Sequence, residues 1–104
     1  MSDAIERWER LLEAQPNHDL ARFSLGKAYF DSGRHAEALH HLNLALAKKP
    51  DWMVVQILVG KCHQALGDLP LARSAYETAL KLAIDQHHEG PQMEMEQILE
   101  ELGA

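Results

Sequence analysis

Seven histidines are the residues of this chain whose chemistry most readily suggests a metal site: His18, His35, His40, His41, His63, His87 and His88. Zinc ligands on one helix usually stand at positions i and i+4, and no two of these histidines have that spacing. The adjacent pairs diverge by about 100° around a helix. Glu37 and His41 do stand four apart, but such a pair is more often a surface ion pair. We therefore expect no metal and no cofactor, and a metal-responsive helical protein is the third of three hypotheses for the function.

Cys62 and His63 are the neighbours that suggest a nucleophile beside a base. Adjacent residues on a helix point in different directions, so these two side chains cannot face each other. The six glycines are scattered singly and do not form a phosphate-binding loop. We predict that the chain is not an enzyme.

Length and charge narrow the class of partner. The chain has 104 residues, enough for one domain, and 46% of them are apolar, enough to bury a core. Its formal net charge of −6 offers no basic field to the phosphates of a nucleic acid.

The N-terminal sequence lacks the basic start and apolar run of a secretory signal, and no stretch reaches the roughly 18 apolar residues of a membrane helix. We expect a cytoplasmic protein that binds neither nucleic acid nor membrane.

A period of 34 residues runs through the sequence. It relates Pro16 to Pro50, Gly26 to Gly60, Lys27 to Lys61, Gly33 to Gly67, Ala38 to Ala72, Ala45 to Ala79 and Leu46 to Leu80, and, one period earlier, Ala4 to Ala38 and Leu12 to Leu46. Self-similarity at a fixed period of this length is the signature of repeat proteins. The period therefore predicts stacked copies of one supersecondary unit.

Each copy has the pattern of two helices. Glycines at 33 and 67 are suited to end the first helix of a copy, because glycine readily adopts positive φ, and the second helix carries an amphipathic stripe. We predict six helices and no strands. They run from Ala4 to about Ala14, twice within 17–50, from Met53 to Leu66, from Leu69 to about His87, and through a short final segment that follows Gly90-Pro91 and carries Met95, Ile98, Leu99 and Leu102.

The segments Leu25-Gly26-x-x-Tyr29, Ala38-x3-Leu42 and Pro50 resemble the motifs W-x2-L-G-x2-Y, A-x3-F and P of the tetratricopeptide repeat (TPR) family. The resemblance covers residues 4–84 and is weaker in the second copy, where His63 takes the tyrosine position. It implies an all-α fold: a right-handed TPR helical solenoid of about two and a half repeats plus a C-terminal capping helix. The single domain would span 1–104, with a half repeat over 1–16, repeats over 17–50 and 51–84, and the capping helix over 91–104.

Resemblance to this family also implies a function. Its members bind a peptide or a partner helix in a concave groove lined by the first helix of each repeat. Matched residue by residue, the groove positions are Leu20, Phe23, Lys27, Phe30, Asp31, Val54, Ile57, Lys61 and Gln64. Lys27 and Lys61 are equivalent and should stand side by side, where they either hold a carboxylate of the partner or are simply solvated. The leading hypothesis is thus a protein–protein interaction module with an adaptor or scaffold role.

Self-assembly is the alternative hypothesis. The N-terminal helix corresponds to the second helix of a repeat whose first helix is absent, so part of its apolar stripe should be uncovered. The stripe consists of Ile5, Trp8, Leu11 and Leu12. Exposed apolar patches on soluble domains usually mark interfaces. This pattern predicts a symmetric homodimer through the N-terminal helix, unless the helix tilts and buries the stripe within the monomer.

Overall fold

The computed structural model describes residues 3–103, and within that range the chain forms six α-helices and no strands. The helices are α1 (Asp3–Ala14), α2 (Asp19–Asp31), α3 (His35–Lys48), α4 (Met53–Ala65), α5 (Leu69–Asp85) and α6 (Glu89–Gly103). The predicted class and number of helices are confirmed. Met1, Ser2 and Ala104, which the predicted domain bounds include, lie outside the described residues. No helix in the described range is long and apolar enough to cross a membrane.

The chain divides into two compact units after Pro50. In the first unit, α2 packs against both α1 and α3. In the second unit, α5 packs against both α4 and α6. The largest fully buried side chains are Leu25 and Leu42 in the first unit, and Val55, Cys62, Tyr76 and Met95 in the second.

Three helices end in the same way. The backbone N–H groups of Arg34, Asp68 and His88 each donate to the carbonyl oxygen five residues earlier, at 2.9 Å in every case. This bond belongs to the Schellman motif, whose preceding residue takes positive φ. Gly33 (φ 78°) and Gly67 (φ 82°) fill that position as the sequence predicts.

The third of these ends differs from the prediction. α5 stops at Asp85 because His87, with φ 59°, takes the left-handed position that glycine holds in the other two. Gly90 and Pro91, predicted to precede the last helix, form part of its first turn. A proline is tolerated there because N–H groups in the first turn have no acceptor within the helix. The capping helix therefore begins at Glu89 and not at 91.

Glycine allows a close approach of two helices once in each unit. A Cβ atom added at Gly26 would lie 2.9 Å from Cδ2 of Leu42 on α3. One added at Gly60 would lie 2.5 Å from Cε1 of Tyr76 on α5. Tyr76 is fully buried, and its hydroxyl donates to Oε1 of Gln64 at 2.7 Å. The 34-residue register therefore corresponds to real helix crossings.

α6 continues the same register but changes its residues. One further step of 34 places Met93 where α4 has Val59, and Glu94 where α4 has Gly60. Val59 is buried, whereas Met93 is 70% exposed. Glu94 is also exposed and makes an ion pair with Lys61, with 3.6 Å between Nζ and Oε2. Thus α6 has the position of a first helix but lacks the glycine and the buried residue that α4 carries there.

Candidate functional site

One face of α2 carries the predicted groove residues of the first unit. We call Leu20, Phe23, Lys27, Phe30 and Asp31 the α2 face. Leu20 is 58% exposed, and both phenylalanines are half-buried. Lys27 and Asp31 are exposed and form an ion pair at 2.9 Å one turn apart. The face therefore combines uncovered apolar surface with a pair of charges at its C-terminal end.

Residues at both ends of α2 hold this face in place. At the N-terminus, Nδ1 of His18 accepts a hydrogen bond from the backbone N–H of Ala21 at 3.1 Å. This caps one of the N–H groups that the first turn leaves without a partner. Asp19 forms an ion pair with Lys48, with 2.7 Å between Oδ1 and Nζ, and this pair connects the start of α2 to the end of α3. The proximity of the Lys48 ammonium lowers the pKa of Asp19, so this carboxylate stays charged.

A cleft of about 350 Å³ lies beside the α2 face, between α1 and α2. Its lining consists of Ala4, Trp8, Ser24, Lys27, Ala28, Asp31 and Ser32. The structure thus brings Trp8, predicted for self-association, next to Lys27 and Asp31, predicted for the groove. Sequence reasoning missed the two serines and the two alanines. Ser24 and Ala28 do stand at helical spacing from Lys27 and Asp31, which is the signal that would have found them.

The predicted groove residues of the second unit are less uniform. Val54 and Gln64 are exposed, and Lys61 is half-buried in its ion pair with Glu94. Ile57 is only 8% exposed and belongs to the core cluster around Tyr76 and Met95, so it offers little surface to a ligand. Lys27 and Lys61 lie in different units, and each has a carboxylate partner within its own unit.

The predicted self-association stripe of α1 is largely covered within the first unit. Ile5 and Leu12 are buried, whereas Trp8 and Leu11 are half-buried. The guanidinium of Arg7 lies 5.8 Å from the centre of the Trp8 ring. Of the four predicted residues, only Trp8 and Leu11 retain surface for a partner.

A polar cluster links the three helices of the first unit around His41. Nδ1 of His41 lies 3.2 Å from a guanidinium nitrogen of Arg22, and the imidazole stacks on Tyr29 with ring centres 5.5 Å apart. The Tyr29 hydroxyl in turn donates to Glu9 at 3.4 Å. Burial, with lesser contributions from His40 and Arg22, holds the pKa of His41 below its ordinary value of 6.5. The neutral imidazole can accept from Arg22, which ties α3 to α2.

Cys62 lacks the environment of a reactive thiol. Cys62 is fully buried, and burial raises its pKa to about 11. Its thiol is therefore protonated and unreactive at neutral pH. His63, which takes the tyrosine position of the repeat, is half-buried. Within residues 3–103, no three histidine, cysteine or acidic side chains gather in a way that would hold a metal ion.

Comparison with known proteins places the chain in a family. The model of the tetratricopeptide repeat family matches residues 2–51. Over 98 residues the chain is 36% identical to a TPR repeat-containing protein of Pseudomonas aeruginosa, covering 94% of this chain and 93% of that protein. The solution structure of a protein from Bordetella parapertussis has a TM-score of 0.87 and 33% identity, with 99% of this chain and 90% of that chain covered.

A third comparison concerns a protein with a bound partner. PcrH of Pseudomonas aeruginosa, in complex with the chaperone binding region of PopD, has a TM-score of 0.90 and 24% identity, with 97% of this chain and 77% of that chain covered. At this identity the likeness concerns the fold, which is the all-α TPR solenoid. The 36% identity to the TPR repeat-containing protein over 94% of this chain shows that the chain belongs to the tetratricopeptide repeat family.

Proposed function

We propose that this chain binds a peptide or a helix of another protein on its α2 face, as an adaptor or scaffold of the cytoplasm, and catalyses no reaction. The observation that carries the proposal is the exposed apolar surface of the α2 face beside the cleft at Trp8. Aromatic side chains such as Trp8 and Phe23 provide large contact areas at interfaces. The PopD segment bound by PcrH, a protein of the same fold, supports a protein segment as the ligand.

Lys27 gives the α2 face a way to recognise charge. Its partner Asp31 is exposed, and exposed ion pairs contribute only about 0–1 kcal/mol to stability. An acidic side chain or a terminal carboxylate of the partner can therefore replace Asp31 at little cost. Lys61, held by Glu94 in the second unit, is the equivalent position for a second charge.

Affinity capture from a lysate of the native host, followed by mass spectrometry, tests this proposal. We expect Leu20→Glu and the double variant Lys27→Glu/Lys61→Glu to lose the captured protein, because they place charge on the apolar surface or reverse the recognising charge. Leu44→Glu is the matched control, since Leu44 is an exposed leucine on α3. Capture that survives both changes to the predicted groove would contradict the proposal.

A symmetric homodimer through α1 is the second candidate function. The half-buried state of Trp8 and Leu11 favours it, because both side chains retain apolar surface and Trp8 also lines an open cleft. Light scattering during size-exclusion chromatography should give twice the chain mass of 11.7 kDa for the wild type and a lower mass for Trp8→Ala. Ile5→Glu is unsuitable because Ile5 is buried. A wild-type mass of one chain at every concentration would exclude the dimer.

A further inference from the structure

The net charge of the chain is confined to its second half. Residues 1–50 contain seven acidic and seven basic side chains, whereas residues 51–104 contain nine acidic and three basic ones. The second unit therefore carries the whole net charge of −6, and the first unit is neutral.

The ion pairs within each unit increase the difference in available negative charge between the two units. In the first unit, Glu6, Asp19, Asp31 and Glu37 all pair with lysine or arginine. In the second unit, Glu94 pairs with Lys61. Because its carboxylates outnumber its lysines and arginines nine to three, the second unit offers net negative charge to a ligand.

A mainly apolar cleft lies amid these carboxylates, between α5 and α6. Its volume is about 340 Å³, and it is lined by Glu77, Leu80, Lys81, Ile84, Asp85 and Leu99. Ile84 is 48% exposed, and Leu80 and Leu99 are half-buried, so three aliphatic side chains form its floor. We call this the α5–α6 cleft.

Two carboxylates line the α5–α6 cleft on α5, and the spacing along α6 adds a third on the flank of Leu99. On α5, Glu77 and Asp85 stand eight residues apart, which is about 12 Å along the helix, and Lys81 is the single base between them. On α6, the exposed Glu96 stands one turn before Leu99 and so on the same flank of the helix. The rim is thus acidic over about two turns of helix.

We propose that the α5–α6 cleft is a second docking site, whose ligand is a basic amphipathic helix of a partner protein. Aliphatic side chains of that helix would cover Leu80, Ile84 and Leu99, which is the usual role of a hydrophobic groove in helix recognition. Lysines or arginines seven or eight positions apart on its flanks would meet Glu77 and Asp85. This charge pattern speaks against acidic peptides and against the phosphates of nucleic acids or anionic lipids, which the rim repels.

The α5–α6 cleft belongs wholly to the second unit, whereas the α2 face belongs to the first. The two proposals therefore rest on different residues and can fail separately. Lys27→Glu, which disrupts the α2 face, should leave binding at the α5–α6 cleft unchanged.

A titration of the ¹⁵N-labelled full chain with designed peptides, followed by NMR, tests the docking site. The probe is an amphipathic peptide of about 18 residues with leucines on one face and lysines on both flanks, long enough to form a helix on binding. A second peptide has glutamate in place of every lysine. We expect shifts confined to residues 77–85 and 95–100 with the lysine peptide, weaker binding at high salt, and no binding of the glutamate peptide.

Two pairs of variants separate specific docking from general attraction. Ile84→Gln should weaken the lysine peptide about tenfold by removing apolar contact. Leu71→Gln should leave its affinity unchanged, because Leu71 is 49% exposed on the same helix but about 20 Å from Ile84. Glu77→Gln/Asp85→Asn should also weaken binding. Glu13→Gln/Asp51→Asn, which has the same net charge, should not.

Some outcomes would overturn the proposal. One is a wild-type chain that does not bind the lysine peptide, or that binds both peptides alike. Another is a set of shifts spread over the chain, or equal losses in each variant and its control, which would reduce the binding to unspecific charge attraction. Circular dichroism of every variant confirms that it is folded, and both Ile84 and Leu71 are exposed enough to be replaced without loss of the core.

Discussion

Replacing Gly60 by alanine should destabilise the second unit. The added Cβ would lie 2.5 Å from Cε1 and 2.6 Å from Cδ1 of Tyr76, about 1 Å closer than a favourable carbon contact. The ring cannot move aside, since it is fully buried, packs against Ala72, Ala79 and Met95, and is held by the hydrogen bond to Gln64. Overpacking of this kind costs about 1–3 kcal/mol. Alanine returns about 1 kcal/mol through its higher helix propensity.

Because the ring cannot yield, the overpacking cost should lie in the upper part of its range, about 2–3 kcal/mol, and the net loss at Gly60 is then about 1–2 kcal/mol in the free energy of unfolding. For a chain of this size, that corresponds to a fall of roughly 5–10 °C in Tm. Gly26→Ala is the matched control: its Cβ would come within 2.9 Å of Cδ2 and 3.0 Å of Cγ of Leu42, a smaller overlap that the helix propensity of alanine should offset, so Tm should change by less than about 3 °C. Gly90→Ala meets nothing within 4 Å and should raise the stability by about 0.4–1 kcal/mol.

Thermal unfolding followed by circular dichroism at 222 nm measures the three variants. A double variant with Tyr76→Leu supplies the decisive comparison, because removing the ring should make Gly60→Ala harmless and reveal the coupling between the two positions. If Gly60→Ala is as stable as Gly26→Ala, or if its cost persists without the ring, then the crossing at Gly60 is not where the structure puts it.

Three further perturbations have defined outcomes. Burial keeps the folded-state pKa of His41 below 6.5, so its contribution to stability is complete above pH 6.5 and is lost as the pH falls through the folded pKa. Urea unfolding at stepped pH should show this loss of stability, and His41→Gln should make the stability depend less on pH. Gly67→Ala, at φ 82°, should cost about 1 kcal/mol in urea unfolding because a side chain is strained in the left-handed region, and an unchanged midpoint would contradict the cap. Met95→Ala should cost about 2–5 kcal/mol by leaving a cavity where a fully buried side chain lies, whereas Met93→Ala, at an exposed position, should be nearly neutral in the same assay.

The sequence predicted most of the fold because its signals are local and recur. Gly33 and Gly67 end helices because a positive φ is nearly reserved for glycine, so the residue type reveals the conformation. His87 takes the same conformation with no glycine to reveal it, and the end of α5 was therefore placed too late. Gly90 and Pro91 are typical of an interruption between two helices, but the same two residues are also compatible with the first turn of a helix.

The candidate site was less accessible to sequence reasoning because exposure depends on neighbours far along the chain. Ile57 stands one period after the half-buried Phe23, but the core cluster that includes Met95 of α6 buries it. Ile5 looked uncovered because the repeat pattern lacks a helix before α1, yet it is buried in the first unit. The α5–α6 cleft has no motif at all, since it arises from ordinary aliphatic residues of two helices that pack together.

Glu94 affects whether a further helix could pack against α6. α2 and α4 each carry a glycine in this position, and the addition of a single carbon there would already crowd the following helix. A glutamate is far larger, and it carries a charge that would lose its water. A second helix that crossed α6 as closely as α3 crosses α2 or α5 crosses α4 would meet the Glu94 side chain. α6 is therefore unsuited to the close crossing that α2 and α4 allow, and copies that associate symmetrically through α1 would close as a pair instead of adding further copies at α6.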